Sequence, residues 1–444
     1  MLALLICLLV PAASHAAEQT FELRYGPVQV GGFHTAFPSP NRIRTPRRTG
    51  YVVRMSAQIV DSRGRRIALG HAMMHHVVFI NNGHRGGVRR TGACTGRDGE
   101  PFFGTGEENQ RLILPRGYGY RVDARDRWRM VTMIMGHRLA PTKVWLEYRI
   151  TMQTSKRLTP VKPLWLRGNG CDPTSSYTVQ GGGAPGSADV RSADWRMPIS
   201  GRIVAAGAHL HGGAKALTVS QPRCGGRTLI DHRPRWGLED DPVYRVRPLL
   251  HEPGPIATGY FLSRRGIPVR RHETLRVAGV YDGQLPHPAV MAITHVYIAH
   301  KLEVPRGCPA LPSDARIRWT RRRGRTRVAP LQVPLTGLDA RGRPREISHA
   351  IGAADIAGDA ATVSLTRSLF APPNLSIAVG GVVTWRSLDA ERHVVMLANG
   401  PRAVDSPLLR QGQSYTQRFD VPGTYNLFCY LHPVTMHQTL VVQP

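Results

Sequence analysis

The chain has 444 residues, enough for about three domains of ordinary size. Its 59 Lys and Arg against 30 Asp and Glu leave a net charge of +29, carried almost wholly by Arg; the only lysines are Lys143, Lys156, Lys162, Lys215 and Lys301. The Arg is scattered and no nucleic-acid motif accompanies it, which excludes a nucleic-acid binder, and no stretch reaches the ~18 apolar residues of a membrane span.

Residues 2–10 are an apolar run followed by small residues up to Ala16 and Ala17, which reads as a signal peptide over residues 1–17. Export to the cell envelope or the medium is therefore expected. The polyanions such a charge would meet there are envelope polymers and anionic lipid heads. Six cysteines suit that compartment. Cys7 goes with the signal and Cys429 stands in a motif of its own. Cys94, Cys171, Cys224 and Cys308 remain, an even number that predicts two disulfides in any of three pairings. None of the four lies in a C-x2-C pair, which argues against zinc.

The body of the chain is a series of short alternating runs broken by Gly, Pro, Asn and Asp. Residues 51–60 form one run, ended by a turn at 61–64. Residues 73–79 and 128–137 read as strands, and between them Glu107 and Glu108 sit in a Gly-rich loop, where they could form a carboxylate site but read better as solvated charge. Residues 144–152 alternate strictly, as a half-buried strand does, and 273–281 and 290–298 look alike. No helical period lasts beyond two turns. With 46 Gly and 35 Pro, the class is all-β, of sandwich or barrel type. A Gly/Ser break at 181–187 divides the N-terminal part into sandwiches at 20–175 and 190–308. The Pro-rich, Arg-rich stretch 309–355 is expected to be a solvated linker, and 356–444 a third sandwich.

The third sandwich carries the sharpest motif. Cys429, His432 and Met436 fall within eight residues, after a turn and strand at 422–428. Thiolate, imidazole and thioether are a soft set that selects copper, and His393, after an apolar strand around Val383 and Trp385, supplies a second imidazole. This resembles the cupredoxins of the plastocyanin and amicyanin branch. The resemblance implies a Greek-key sandwich holding a type 1 (blue) copper on His393, Cys429, His432 and an axial Met436. The bland alternative is a free cysteine in a β-sandwich.

Two histidine motifs mark the N-terminal part. His209 and His211 are i and i+2, so on a strand both face one way, with flanking glycines to leave room for a metal. His75 and His76 are adjacent, and face one ion only where the strand twists. Together they resemble the copper type II, ascorbate-dependent monooxygenases typified by the peptidylglycine alpha-hydroxylating enzyme. That resemblance implies two jelly-roll-like sandwiches and two copper sites, one on His75, His76 and His137, the other on His209, His211 and Met291. Met73, Met74, Met130, Met133 and Met135 could store copper, but their spacing fits strand faces and core packing. His232, His251, His272 and His349 read as hydrogen-bonded or exposed.

The function expected is a secreted copper oxidoreductase, whose cupredoxin passes single electrons between a small reductant or redox protein and an N-terminal centre that meets O2. The alternative is a non-catalytic copper-handling or electron-carrier protein of the envelope. An adhesive β-sandwich protein with vestigial sites is a third reading.

Overall fold

A computed structural model describes residues 18–83, 99–238, 241–245, 249, 251–300, 302–320, 324–326, 332–347, 355–356 and 358–444. Cys7, Cys94, His349 and the expected signal peptide lie outside the described residues. The described chain is almost entirely β; its helices are a four-residue turn at Pro242–Arg245 and a 3-10 turn at Pro222–Cys224. None is long and apolar enough to cross a membrane.

One long sheet runs through the whole N-terminal part. Its order is Glu18–Val30, Thr142–Gln153, Gly50–Val60, Tyr118–Val122, Thr159–Arg167, Ala292–Ala299, Gly201–Leu210, Tyr260–Val269 and Arg316–Arg318. Alternation makes this possible: Val144, Leu146, Tyr148, Ile150 and Met152 are all buried on one face of their strand. Two four-stranded sheets cover the long one. Thr35–Ala36, Trp128–Gly136, Ala72–Asn81 and Glu100–Gly106 close the first core, where Phe79 and Trp128 meet Val52 and Tyr148. Ala188–Arg196, Thr274–Asp282, Ala214–Gln221 and Arg227–His232 close the second, around Leu217, Val277 and Val296. The two units are thus continuous in hydrogen bonding, joined where Thr159 and Pro160 pair in parallel with Tyr118 and Gly119.

The third sandwich packs a five-stranded sheet, which includes Asn374–Ala378, His437–Gln443, Gly423–Phe428 and Met396–Asn399, on a four-stranded one. Trp385 is fully buried between them and donates its indole N–H to Gln438 Oε1 at 2.8 Å. Cys224 and Cys308 form a disulfide across 84 residues, and Cys171 is also disulfide-bonded.

The expected solvated linker is corrected along much of its described length. Arg316–Arg318 adds to the long sheet, and Val333 and Leu335 are buried with Met396, Ala398 and Phe428 of the third sandwich. These aliphatic side chains outweigh the surrounding arginines, because burying each removes apolar surface from water. Further ties bind the third sandwich to the rest. Asp405 Oδ2 accepts from Thr178 Oγ1 at 2.6 Å and from the Ala289 amide at 2.9 Å, Ala403 N donates to Gln180 O at 3.1 Å, and Thr35 Oγ1 donates to Tyr430 O at 3.0 Å. Burial raises the Asp405 carboxyl above its usual range, against the pull of the Thr178 and Ala289 donors.

Asp405 is the polar hinge pin of this docking. Asp405→Ala is expected to cost about 2 kcal/mol or more, as loss of charge-assisted hydrogen bonds does. Calorimetry should show the third sandwich melting apart from and below the N-terminal part. A single unshifted transition would show that the carboxylate contributes nothing.

Candidate metal centres

The C-terminal centre is built by one strand and one tight loop. Gly423–Phe428 runs into Cys429, where the chain turns: His432 N donates to Cys429 O, Met436 N to His432 O, and Cys429 N back to Met436 O, at 3.0, 2.9 and 3.0 Å. Cys429 and Met436 are both fully buried in the core of this sandwich. His393 is fixed from the other side by a bridge to Leu409. The Val394 amide donates to Cys429 Sγ at 3.5 Å, and His432 Nδ1 lies 3.8 Å from the same sulfur. Donor atoms of His393, Cys429 and His432 all lie within 4.8 Å of one another.

Both imidazoles are aimed by carboxylates. His393 Nε2 donates to Asp389 Oδ2 at 2.9 Å, which leaves Nδ1 buried and without a partner. His432 Nε2 meets Glu391 Oε2 at 3.1 Å, leaving its Nδ1 toward the sulfur. An orphaned imidazole nitrogen beside a buried thiol fits a soft metal ion, and a second carboxylate contact on each ring is what metal-bound histidines show. Burial pushes the Cys429 thiol up, opposed by the amides of Val394, Leu431 and His432. His437, the neighbour of Met436, lies half-buried on the strand paired with Phe428, while Met436 shares the core with Cys429. Asp389 and Glu391 were not read from the sequence; the spacing of Asp389 four residues before His393 was the only signal.

The N-terminal histidines converge differently from the expected two sites. The pairing of Ala72–Asn81 with Trp128–Gly136 slips between Met74 and His76, so His75 is an extra, bulged residue. A bulge re-aims a side chain, and here it lets adjacent His75 and His76 line one cavity, their rings 5.4 Å apart. His209 and His211 do share a face, with Nε2 atoms 3.1 Å apart. His211 also lies against His75, ring centroids 5.3 Å apart. The two pairs therefore form one cluster across the seam of the two units.

Of the third ligands assigned by resemblance, His137 is turned to a backbone carbonyl and Met291 stands in the cavity wall with His211. His137 Nδ1 donates instead to Leu69 O at 2.7 Å, and burial lowers its pKa to about 4. Met291 Sδ accepts from Ser175 Oγ at 3.7 Å, and its carbonyl accepts from Tyr281 OH at 2.6 Å. It lines the cavity. The donor atoms that do converge with His75 are those of Glu107 and His251, all within 4.8 Å of one another. Glu107 and Glu108 are thus corrected from solvated charge to buried carboxylates. Glu108 Oε2 holds His209 Nδ1 at 3.1 Å. Burial raises the Glu107 carboxyl, but His251 and His75 more than offset it and hold it well below its usual range. Burial lowers His76 and His211 well below theirs, helped by neighbouring imidazoles. His251, read as hydrogen-bonded or exposed, is hydrogen-bonded within the cluster; it comes from an aperiodic loop, which carries no sequence signal. The glycines beside His211 make room for other side chains: a Cβ at Gly212 would lie 2.4 Å from Glu252 and one at Gly213 2.3 Å from His287. Those two residues pair, His287 Nδ1 donating to Glu252 Oε2 at 2.6 Å. The methionines expected in the core are there: Met73, Met74, Met130, Met133 and Met135 are all buried.

A cavity of about 250 Å³ joins the two regions. One wall carries His75, His76, His211, His251 and Met291; the other carries Met396, Phe428 and Tyr430 of the third sandwich.

No family model matches the chain. Among curated proteins, amicyanin-alpha of Methylorubrum extorquens is 34% identical over 82 residues, 18% of this chain and 69% of its own length. Amicyanin of Paracoccus denitrificans is 30% identical over 92 residues, 20% and 70%. A solved Cu(I) amicyanin variant is 30% identical, covering 19% of this chain and 83% of its own at a TM-score of 0.18. These matches are short, each about one fifth of the chain. Through its C-terminal sandwich the chain belongs to the amicyanin family of cupredoxins, with copper as the cofactor.

Proposed function

We propose that the chain is an exported copper oxidoreductase in which the cupredoxin exchanges electrons with a histidine-lined centre in the N-terminal sheets. The single observation that carries this reading is the shared cavity. Phe428 and Tyr430 flank Cys429 in sequence and line the cavity opposite His75, His76 and His211. Phe428 and Tyr430 thus face the histidine cluster across that cavity, and Tyr430 also packs on the Met73, Met133 and Met135 group. The disulfide supports an oxidising compartment.

Copper bound at the C-terminal centre supplies one-electron exchange with little change of geometry. The chain's own residues set the conditions for it. Asp389 holds the His393 ring, the exposed Glu391 carboxylate meets the His432 ring, the Val394 amide stabilises charge on sulfur, and the buried core keeps water from it. On the cavity side, inserting one oxygen atom of O2 into a C–H bond and releasing the other as water takes two electrons and two protons. A one-electron carrier meets that need in two deliveries. His287, oriented by Glu252, stands in the cavity wall as a proton carrier.

A second reading is a plain electron carrier with a redox-protein partner, the N-terminal part serving only to dock it. The limitation of the curated matches to the cupredoxin favours it.

Two experiments decide. Copper-loaded wild-type chain should be intensely coloured, and Cys429→Ser should lose that colour altogether while keeping its β circular dichroism; a colourless wild type with a freely alkylated thiol would remove the basis of both readings. After reduction, O2 should bleach-recover the wild-type band, and the double variant His209→Ala/His211→Ala should recover at least about tenfold more slowly, the loss typical of a disrupted metal site. Recovery as fast as wild type leaves the electron-carrier reading.

A further inference from the structure

Three donor atoms outside the cupredoxin meet at one point. His75 Nδ1 and His251 Nε2 lie 2.6 and 2.5 Å from the same oxygen of Glu107, and the three groups fall within 4.8 Å of one another. They come from three separate segments: the bulge in Ala72–Asn81, the chain just beyond Glu100–Gly106, and the loop before Gly254. The Glu107 and His75 side chains are only 8% and 9% exposed. The second Glu107 oxygen is taken by the Gly254 amide at 2.8 Å, so the first is left to the imidazoles.

The surroundings are polar beyond what hydrogen bonds alone satisfy. His251 Nδ1 and His76 Nδ1 are buried and have no partner. Neither atom is one of the three meeting donors, but each sits on a ring of the cluster and leaves it more polar than its hydrogen bonds satisfy. The His211 ring stands edge-on to His75, adding a further imidazole at the same place. Gly106 lets the cluster pack tightly against the backbone: a Cβ there would lie 2.7 Å from the His75 carbonyl oxygen, 2.9 Å from His209 and 3.0 Å from Glu108. Access exists from two sides, since His75 and His251 line the shared cavity and Glu107 lines a second one beyond it.

We propose that His75, His251 and Glu107 form a two-histidine, one-carboxylate site for a divalent first-row metal ion, with His211 as the adjacent imidazole. The donor set is harder than the thiolate centre. Imidazole suits copper, iron and zinc, and one carboxylate with two imidazoles on one side leaves positions open for a small oxidant. The ligand set crosses the seam of the two units, so the metal would also pin them together. The site deepens the oxidoreductase reading by naming its centre, yet it stands or falls on metal content alone.

The test uses the full chain with the cupredoxin site removed, His393→Ala/Cys429→Ala, dialysed separately against Cu(II), Fe(II) and Zn(II). It should retain one ion per chain of at least one of these metals. Adding Glu107→Gln or His251→Ala should weaken retention about tenfold or more. Folding is checked on chains with an intact cupredoxin, where Glu107→Gln should leave the coloured copper band unchanged. If Glu107→Gln loses that band it has misfolded, and His251→Ala then decides. No retained ion in the His393→Ala/Cys429→Ala chain, or undiminished retention after His251→Ala, would overturn the site. An ion retained there while reoxidation stays as fast as wild type both in Glu107→Gln and in His209→Ala/His211→Ala chains would keep the site and remove the proposed function.

Discussion

The period of two along a β-strand is the constraint on which the rest of this molecule depends. At the end of Gly423–Phe428, alternation sends Leu427 and Cys429 into the core of the third sandwich and turns Phe428 outward, while Tyr430 in the following turn touches both that core and the docking cluster. The same few residues therefore build a metal site on one face and a domain contact on the other. Shifting the strand by one residue would exchange the two faces, burying rings where the thiol belongs. Register here is held by the pairing of Phe428 with His437 and of Phe428 with Met396.

The docking contact is mixed in character, and each part has a task. Met396, Ala398 and Phe428 with Val333 and Leu335 remove apolar surface from water. Asp405, with two donors from the N-terminal part, sets the angle at which that surface is presented. Apolar packing alone would tolerate sliding; directed hydrogen bonds do not. The cavity between the sandwiches is what remains where neither kind of contact closes the gap.

Carboxylates govern both groups of histidines. In the cupredoxin, Asp389 takes one nitrogen of His393 and so frees the other for the metal side. Across the seam, Glu107 and Glu108 balance a cluster of imidazoles that burial alone would force to be neutral. A neutral imidazole with one nitrogen committed and the other free is the form that ligates. In the cupredoxin Asp389 takes the nitrogen turned away from the thiol, whereas across the seam Glu107 meets the converging nitrogens of His75 and His251 themselves.

Local pattern was enough for much of this. Alternation placed the strands of the N-terminal part, including residues 144–152 on Thr142–Gln153 and residues 51–60 on Gly50–Val60, because a half-buried strand must repeat every two residues. The soft donors Cys429, His432 and Met436 were legible because they share one loop, and His209 with His211 because i and i+2 share a face. Glu107, His251, Asp405 and the docked stretch around Val333 were not, since nothing periodic marks a loop residue as buried. The adjacency of His75 and His76 pointed to opposite faces unless the backbone yielded, and the bulge that reconciles them is a property of how Ala72–Asn81 pairs with Trp128–Gly136. The sequence by itself determined the fold class and marked the soft donors Cys429, His432 and Met436, which lie within eight residues; His393 reaches them only through the fold. Only the tertiary structure decided that the two histidine pairs form one cluster facing the cupredoxin, because that depends on which surfaces of separate sheets are buried against each other.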